Sequence, residues 1–347
     1  MAIFDIDPEI RRAKTLSSEF YTDPRYFDIS KEKIFLRSWQ FLGRNEQLSV
    51  CDGKLTPLTI LPNFLDEPIL LVKDGDGLRC LSNVCTHRGK ILVDEPYSAN
   101  LIRCGYHGRR FALDGKFLSM PEFEGVVDFP SESDDLKQVP FAEWNGFLFA
   151  SVDPANSFEA FVDDVARQLE VVDKRELKLT ATREYEIDAH WALYCENYLE
   201  GFHIPYVHKS LNETLDYGSY ATETFRYSSL QTGFADAGEI AAQYLFIFPN
   251  LMFNFYPWGV SVNVVRPVSP SKSVVEFLTY VSDEDKLDRG AGADLHGVEL
   301  EDEAVVESVQ RGIRSRFYTH GRYSPTRETG THHFHRLIAE FINRPCQ

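Results

Sequence analysis

Apolar residues change their spacing twice along this chain, and the changes divide it into three parts. Up to about residue 38 the pattern is polar and helical, as over 8–13 and 28–36. From Trp39 it turns into short alternating runs broken by turn residues. Residues 68–73 and 78–84 flank Asp74-Gly75-Asp76-Gly77, a hairpin signal, and 111–117 reads as another. Residues 144–152 read as one buried closing strand, ended by Asp153-Pro154. Beyond it the period lengthens. Helical spacing over 158–177 puts Phe161, Val165, Leu169 and Val172 on one face. A strand is expected over 180–190, a helix over 191–211, and three or four long antiparallel strands over 244–280, turning at 256–259 and 267–272. Helices over 303–312 and 332–343 follow, and the acidic, Gly- and Ala-rich stretch 283–297 reads as a mobile loop. The expected fold is α+β. A helical segment, 1–39, packs on the last domain; 40–155 is an all-β domain; 156–347 combines an antiparallel sheet with helices.

Two short motifs lie within this frame. The first is Cys85-Thr86-His87 followed by Cys104-Gly105-Tyr106-His107. C-x-H … C-x2-H is the ligand order of a Rieske [2Fe–2S] cluster, in which two Cys hold one iron and two His the other. Zinc is the rival, since Cys2His2 also suits a closed tetrahedral site. Zinc fingers pair like with like, whereas each half here mixes one Cys with one His. Gly89, Gly105 and Gly108 stand where two tight loops must bring backbone close to the bridging sulfides. Cys85, His87, Cys104 and His107 are therefore the candidate cluster ligands.

The second motif is Glu200-Gly201-Phe202-His203 with His208 beyond it. On a helix, Glu200 and His203 share a face. His203 and His208 stand roughly 140° apart on an ideal helix. Pro205 between them breaks the helix and can swing His208 back beside His203. Two histidines and a carboxylate with open positions form the facial set that binds non-haem Fe(II) and activates O2.

Composition narrows the setting. The 347 residues are enough for about two domains, and 43% hydrophobic with 13% aromatic content supports real cores. The cysteines at 51, 80, 85, 104, 195 and 346 show no disulfide framework; all but Cys85 and Cys104 read as reduced structural thiols. The acidic opening residues 1–7 do not read as a secretory leader, so the expected location is cytoplasmic. Residues 244–265 are about long enough to span a bilayer. They contain Asn250, Asn254, Asn263, two prolines and Gly259 and alternate like paired strands, so no membrane span is expected. A net charge of −17 argues against nucleic acid and suits a redox partner with a basic patch.

The run from Cys195 to His208 closely resembles the catalytic helix of Rieske non-haem iron oxygenase α-subunits, the family of aromatic-ring-hydroxylating dioxygenases and choline monooxygenase-like enzymes. The likeness extends from Trp39 to the end and includes Gly321-Arg322-Tyr323-Ser324-Pro325 and His332-His333-Phe334-His335. It implies a Rieske domain followed by a helix-grip catalytic domain. It also implies a third iron ligand in the segment 299–312; the matching position is Asp302, with Glu301, Glu303 and Glu307 as alternatives. Carried over, Glu200 bridges His107 of one protomer to His203 of the next, in a homotrimer to which a small β-subunit is an optional addition. Most relatives have Asp at the bridge, so the longer Glu200 departs from the pattern. Asn197 is a candidate for a hydrogen bond in the iron pocket, and Phe202, Tyr206, Phe255, Tyr256 and Trp258 are candidates for its walls.

The function so implied is a terminal oxygenase component. It takes O2 and a small-molecule substrate, with electrons originating from NAD(P)H and delivered by a separate reductase or ferredoxin. Hydroxylation of an aromatic ring is the first expectation, and oxidation or N-demethylation of a choline-, betaine- or carnitine-like quaternary ammonium the second. A Rieske electron carrier is the competitor from another class, but a carrier has no use for His203, His208 and Asp302.

Overall fold

The structure is a computed structural model that describes residues 4–48, 50–75, 77–166, 176–212, 216–235, 238–287 and 290–345. It divides into two compact units. One is Leu36–Ala155; the other joins Met1–Phe35 to Asn156–Gln347.

The Leu36–Ala155 unit is built from small antiparallel sheets. β1 (Gln40–Arg44) pairs with β10 (Phe147–Ala150), which pairs with β9 (Phe141–Trp144). The run 144–152, expected as one strand, is split by Asn145-Gly146, which has φ of 50° and 77°. Asn-Gly adopts this left-handed pair readily, so the chain reverses there into a hairpin. A four-stranded sheet runs β4 (Gly77–Ser82), β3 (Glu67–Asp74), β2 (Lys54–Ile60), β5 (Tyr97–Ser98). β3 lies between two neighbours, and Ile69, Leu70, Leu71 and Val72 are buried on both faces. The third sheet, β6 (Ile102–Arg103), β7 (Arg110–Phe111) and β8 (Phe117–Ser119), carries the hairpin expected at 111–117. Leu55, Leu70, Leu81, Ile102 and Phe111 form one apolar cluster, and Cys85 and Cys104 are buried in it.

In the other unit, α1 (Ser18–Thr22), α2 (Pro24–Ser30) and a π-helical turn over Lys31–Phe35 make up the helical part of the N-terminal segment. Lys33 Nζ donates to the carbonyls of Ile342 and Arg344 at 2.8 and 2.7 Å, tying that segment to the end of the C-terminal helix. α3 covers Phe158–Ala166; of the helix expected to 177, residues 167–175, with Leu169 and Val172, lie outside the described residues, as does Cys346, and 176–177 are not helical.

The framework of this unit is a seven-stranded antiparallel sheet in the order β11 (Lys178–Ile187), β17 (Lys272–Val281), β16 (Gly259–Ser269), β15 (Leu251–Tyr256), β14 (Ile240–Ile247), β13 (Ser228–Phe234), β12 (Ala221–Thr224). β14 to β17 are four strands where three or four were expected over 244–280, so the apolar stretch 244–265 is strand and turn. No helix among the described residues is long and apolar enough to cross a membrane. Among the described residues, α4 (Trp191–Tyr198), the single-turn α5 (Ile204–Val207) and α6 (Lys209–Asn212), α7 (Leu295–Gly312) and α8 (Thr329–Asn343) complete the unit. Phe334 of α8 meets Trp191, Phe246 and Phe248 at ring-centroid distances of 5.8, 5.4 and 6.0 Å. These aromatic contacts fix α4 against the sheet. The stretch 283–297, expected as a loop, holds 3-10 turns at Glu284–Lys286 and Gly290–Gly292 and the first turn of α7; residues 288–289 are outside the described set.

Candidate metal centres

The two Cys-x-His loops of the Leu36–Ala155 unit share one backbone plan. Cys85 N–H donates to Lys90 O and Gly89 N–H returns to Cys85 O, both at 2.9 Å. Cys104 N–H donates to Arg109 O at 2.8 Å and Gly108 N–H returns to Cys104 O at 3.1 Å. Gly89 and Gly108 sit at φ 69° and 75°, a conformation glycine adopts without strain. Each loop thus projects one thiol and one imidazole from the same turn.

The loops are fastened together from below. Asp134 O accepts from Thr86 Oγ1 of the first loop at 2.7 Å and from Arg109 Nη2 beside the second at 3.1 Å. Arg109 Nη2 also donates to Asp134 Oδ1 at 2.6 Å. Its guanidinium, 2% exposed, lies over the rings of Phe111, Phe117 and Phe129.

The donors fit a two-iron cluster. The Cys85 and Cys104 side chains are within hydrogen-bonding reach of each other, and the His87 and His107 rings lie 4.9 Å apart. His107 Nδ1 is buried with no hydrogen-bond partner, as a nitrogen reserved for a metal would be. Burial pushes the Cys85 thiol up; Cys104 adds to the rise, while backbone N–H groups of His87 and Arg88 oppose it. Tyr106 N–H points at Cys104 Sγ from 3.5 Å. Such donors to sulfur also tune a cluster's potential. Burial, with His107 nearby, lowers the pKa of His87 and favours the neutral imidazole that ligation requires. Among the described residues, the one set of three His, Cys, Asp or Glu donors all within 4.8 Å of one another is elsewhere.

That one set is His203, His208 and Asp302. His203 Nε2 is 3.1 Å from His208 Nε2 and 3.5 Å from Asp302 Oδ1, and His208 Nε2 is 3.0 Å from Asp302 Oδ1. An ion about 2.1 Å from three donors at right angles holds them about 3.0 Å apart, so the triangle fits one metal on a shared face. Each imidazole is held from behind. Glu200 Oε1 meets His203 Nδ1, and Glu301 Oε2 meets His208 Nδ1, both at 2.7 Å. A carboxylate on Nδ1 fixes the ring and leaves Nε2 for a metal. Burial would lower the pKa of His208, but its bonds to Asp302 and Glu301 raise it on balance.

The local backbone differs from the expected long helix. α4 ends at Tyr198, and 199–203 is a bend in which Glu200 Oε2 accepts from the N–H groups of Phe202 and, at 3.1 Å, His203. Pro205 stands in the first turn of α5, so it begins a new helical turn where the sequence reading had it interrupt an old one. A Cβ on Gly201 would lie 2.7 Å from the Tyr220 ring, which explains a glycine in this bend. Of the alternative carboxylates, Glu301 holds His208, Glu303 Oε1 is buried without a partner, and Glu307 accepts from Asp188 N–H at 3.2 Å.

A cavity of about 100 Å³, several times what one water needs, opens beside the triad. Asn197 lines it, as do Tyr194 and Tyr198, the remaining members of an i, i+3, i+4 stripe on α4. Of the five aromatics expected in its walls, only Tyr256 is there. Phe202 and Tyr206 are exposed by 38% and 79%, Trp258 is buried against Tyr256, and Phe255 stacks on Phe253. Tyr220, Tyr244 and Phe277 stand in their stead. Asn254, Ser261 and Asn263 also line the cavity. Polar residues at inward positions of apolar strands were the signal that marks it in the sequence. Tyr198 OH donates to Asn254 Oδ1 at 2.9 Å, and Ser261 Oγ to Asn263 Oδ1 at 2.8 Å.

A Rieske-type loop pair in one unit and a two-histidine, one-carboxylate cluster on a helix-and-sheet unit define an oxygen-activating, cluster-fed enzyme class. The Rieske [2Fe-2S] domain family matches residues 38–130, and the ring hydroxylating alpha subunit (catalytic domain) family matches 175–344. The chain is 30% identical to the choline monooxygenase of Arabidopsis thaliana, covering 97% of this chain and 85% of that one. It is also 30% identical to the carnitine monooxygenase oxygenase subunit of Escherichia coli K12, covering 95% and 94%. A solved quaternary ammonium Rieske monooxygenase in complex with L-carnitine superposes with a TM-score of 0.79 at 28% identity, over 96% of this chain and 97% of that one. A naphthalene 1,2-dioxygenase from Rhodococcus, at 19% identity and a TM-score of 0.75, shares the fold. The chain belongs to the Rieske non-haem iron oxygenases and is a terminal oxygenase component.

Proposed function

We propose that this oxygenase acts on a small quaternary ammonium compound, with iron held by His203, His208 and Asp302 and the cluster held by Cys85, His87, Cys104 and His107. When bound, the iron supplies O2 activation and the cluster supplies electrons one at a time. The observation that carries the substrate class is the cavity wall. Among the described residues it contains Glu200, Glu299 and Asp302, five tyrosines and Phe277, but no lysine or arginine. Carboxylates and aromatic faces attract a methylated cation. The relatives named for choline and carnitine support the same reading. An arene would satisfy the rings but would leave Glu299, Asn254 and Asn263 facing hydrocarbon, at a cost in desolvation. The order of the two substrate readings made from the sequence is therefore reversed here.

The residues divide the work. Tyrosine faces orient the cation, Glu200 and Glu301 keep the imidazole Nε2 atoms turned to the metal, and the buried wall excludes water. Oxidation of an N-methyl carbon consumes O2, two electrons and two protons and yields water and a hydroxymethyl ammonium. That product breaks down to formaldehyde, a proton and the demethylated amine.

We extend the proposal to a homotrimer fed by a separate NAD(P)H-dependent reductase. Glu200, 15% exposed, lies beside the exposed rings of Phe202 and Tyr206. In the cluster unit, Tyr106 is 57% exposed with its ring 3.7 Å from that of His107. Two exposed aromatic patches, each next to a redox group, are what docking of one protomer's cluster on another's Glu200 requires.

The test is a single turnover of chemically reduced protein under oxygen-18 gas. Choline, carnitine and betaines form one panel and aromatic acids and hydrocarbons the other. Formaldehyde or a labelled hydroxyl from an ammonium compound is the expected result; a labelled phenol or cis-diol overturns the substrate class.

A further inference from the structure

Glu299 is the one carboxylate in the cavity wall that the metal triad and its supports leave unused. It sits on α7 one helical turn before Asp302, a rise of about 4.5 Å, so the two share a face. Its side chain is buried, with the residue only 4% exposed. An acidic residue near a helix start is usually a solvated one, and this one is not. Oε2 accepts from Tyr194 OH at 2.7 Å, while Oε1 is buried with no partner.

The other lining carboxylates are occupied. Glu200 spends its oxygens on His203 and the bend, and Asp302 faces both imidazoles. Leu295 and Val298 of the same helix also line the wall. A carboxylate enclosed in this way is costly unless it takes up a proton or a positive charge completes it. Among the described lining residues no lysine or arginine pairs with Oε1, a place that a cationic ligand can take.

Building on the quaternary-ammonium reading, we infer that Glu299 is the counter-charge for the substrate's cationic head, with its carboxylate aimed into the cavity by Tyr194. An ammonium seated beside Glu299 lies about one helical turn from the metal triad. That separation brings a methyl group or the adjoining carbon to the reacting position while the charge stays at the wall. Tyr194 is then a positioning residue, since it acts through Glu299. Burial, with Asp302 and Glu303 adding to it and the Tyr194 hydrogen bond opposing it, pushes the Glu299 carboxyl up to about 8. A bound cation reverses that penalty, so the site gains from one.

The experiment is equilibrium binding to the metal-loaded protein of choline and of its uncharged carbon isostere, 3,3-dimethylbutanol. Wild type, Glu299→Gln and Glu299→Asp are compared, with iron content and the cluster's visible spectrum as checks on folding. Wild type is expected to prefer choline. Glu299→Gln is expected to lose about tenfold or more in choline affinity and leave the isostere's unchanged. Glu299→Asp, which keeps the charge, is expected to keep part of the preference. If wild type prefers choline and Glu299→Gln does so equally, the inference is overturned and the substrate reading stands. If wild type shows no preference for the charged ligand, the substrate reading fails and the inference with it.

Discussion

Glu301 Oε2 lies 2.7 Å from Nδ1 of His208, on the side of the ring away from Asp302. Glu301 and Asp302 are adjacent on α7, yet one faces the back of the imidazole and the other its front. The sequence offers both as metal ligands; the geometry gives the first a supporting place. Removing such a support typically weakens metal binding about 10- to 100-fold. Glu301→Gln is therefore expected to lose mononuclear iron on dilution or mild chelation and keep its cluster spectrum. Iron titration followed by equilibrium dialysis checks this, and unchanged affinity would show that His208 needs no such hold.

Two tasks are proposed for Glu200, and one substitution separates them. Glu200→Gln retains an acceptor for the N–H groups of Phe202 and His203 and a partner for His203 Nδ1, so iron is expected to stay. The amide carries no negative charge, so cluster-driven turnover is expected to fall by about 100-fold or more. The measurement is the rate at which a reduced cluster reoxidises when substrate and O2 are mixed in. A wild-type rate with full iron contradicts the relay through Glu200.

The Asp134 clamp predicts a stability effect. Asp134→Ala keeps the backbone carbonyl that accepts from Thr86 and Arg109 but leaves Arg109, 2% exposed, without its anion. Leaving one buried charge unpaired costs about 3 kcal/mol or more. Thermal unfolding followed through the cluster's visible circular dichroism is expected to shift downward. Asp134→Asn, which keeps an acceptor for Arg109, is expected to shift it less.

Much of the chemistry was legible because ligation dictates residue type and spacing. A Cys and a His two or three apart must share a tight loop, and the glycines that permit it are visible in the sequence. The fold class was legible for the same kind of reason, since the alternation over 244–280 is long and regular. Less legible were features that depend on long-range approach. The break at 199–203 depends on Tyr220 pressing on Gly201 and on Glu200 folding back onto its own backbone, and neither is a local propensity. The hairpin at Asn145-Gly146 was a local signal overridden by the apolar residues around it. β12 and β13 were not anticipated, because their Ser-, Thr- and Gly-rich sequences resemble turns. Glu299 looked like one more acid at a helix start, and only its burial separates it from Glu303 and Glu307.

His190 gives a pH dependence. It caps α4, its Nδ1 accepting from Ala192 N–H at 3.3 Å, and Nε2 is buried without a partner. Burial pushes its pKa down to about 3. Unfolded, a histidine titrates near about 6.5. Between those values the unfolded chain takes up a proton that the folded chain refuses. Stability is thus expected to fall as pH drops below about 6.5, by up to about 1.4 kcal/mol per unit from this group. His190→Asn keeps a capping side chain and removes the titration, so its denaturation midpoint is expected to depend less steeply on pH over that window.

The most direct test of the two-centre account is the Mössbauer spectrum of protein loaded with iron-57, wild type against Asp302→Ala. Wild type is expected to show the paired irons of a Rieske cluster and a separate high-spin Fe(II) signal at half their combined area. Asp302→Ala is expected to lose that separate signal and keep the cluster intact. An Fe(II) signal that survives Asp302→Ala, or wild-type iron found only in the cluster, contradicts the assignment of His203, His208 and Asp302 as the oxygen-activating site.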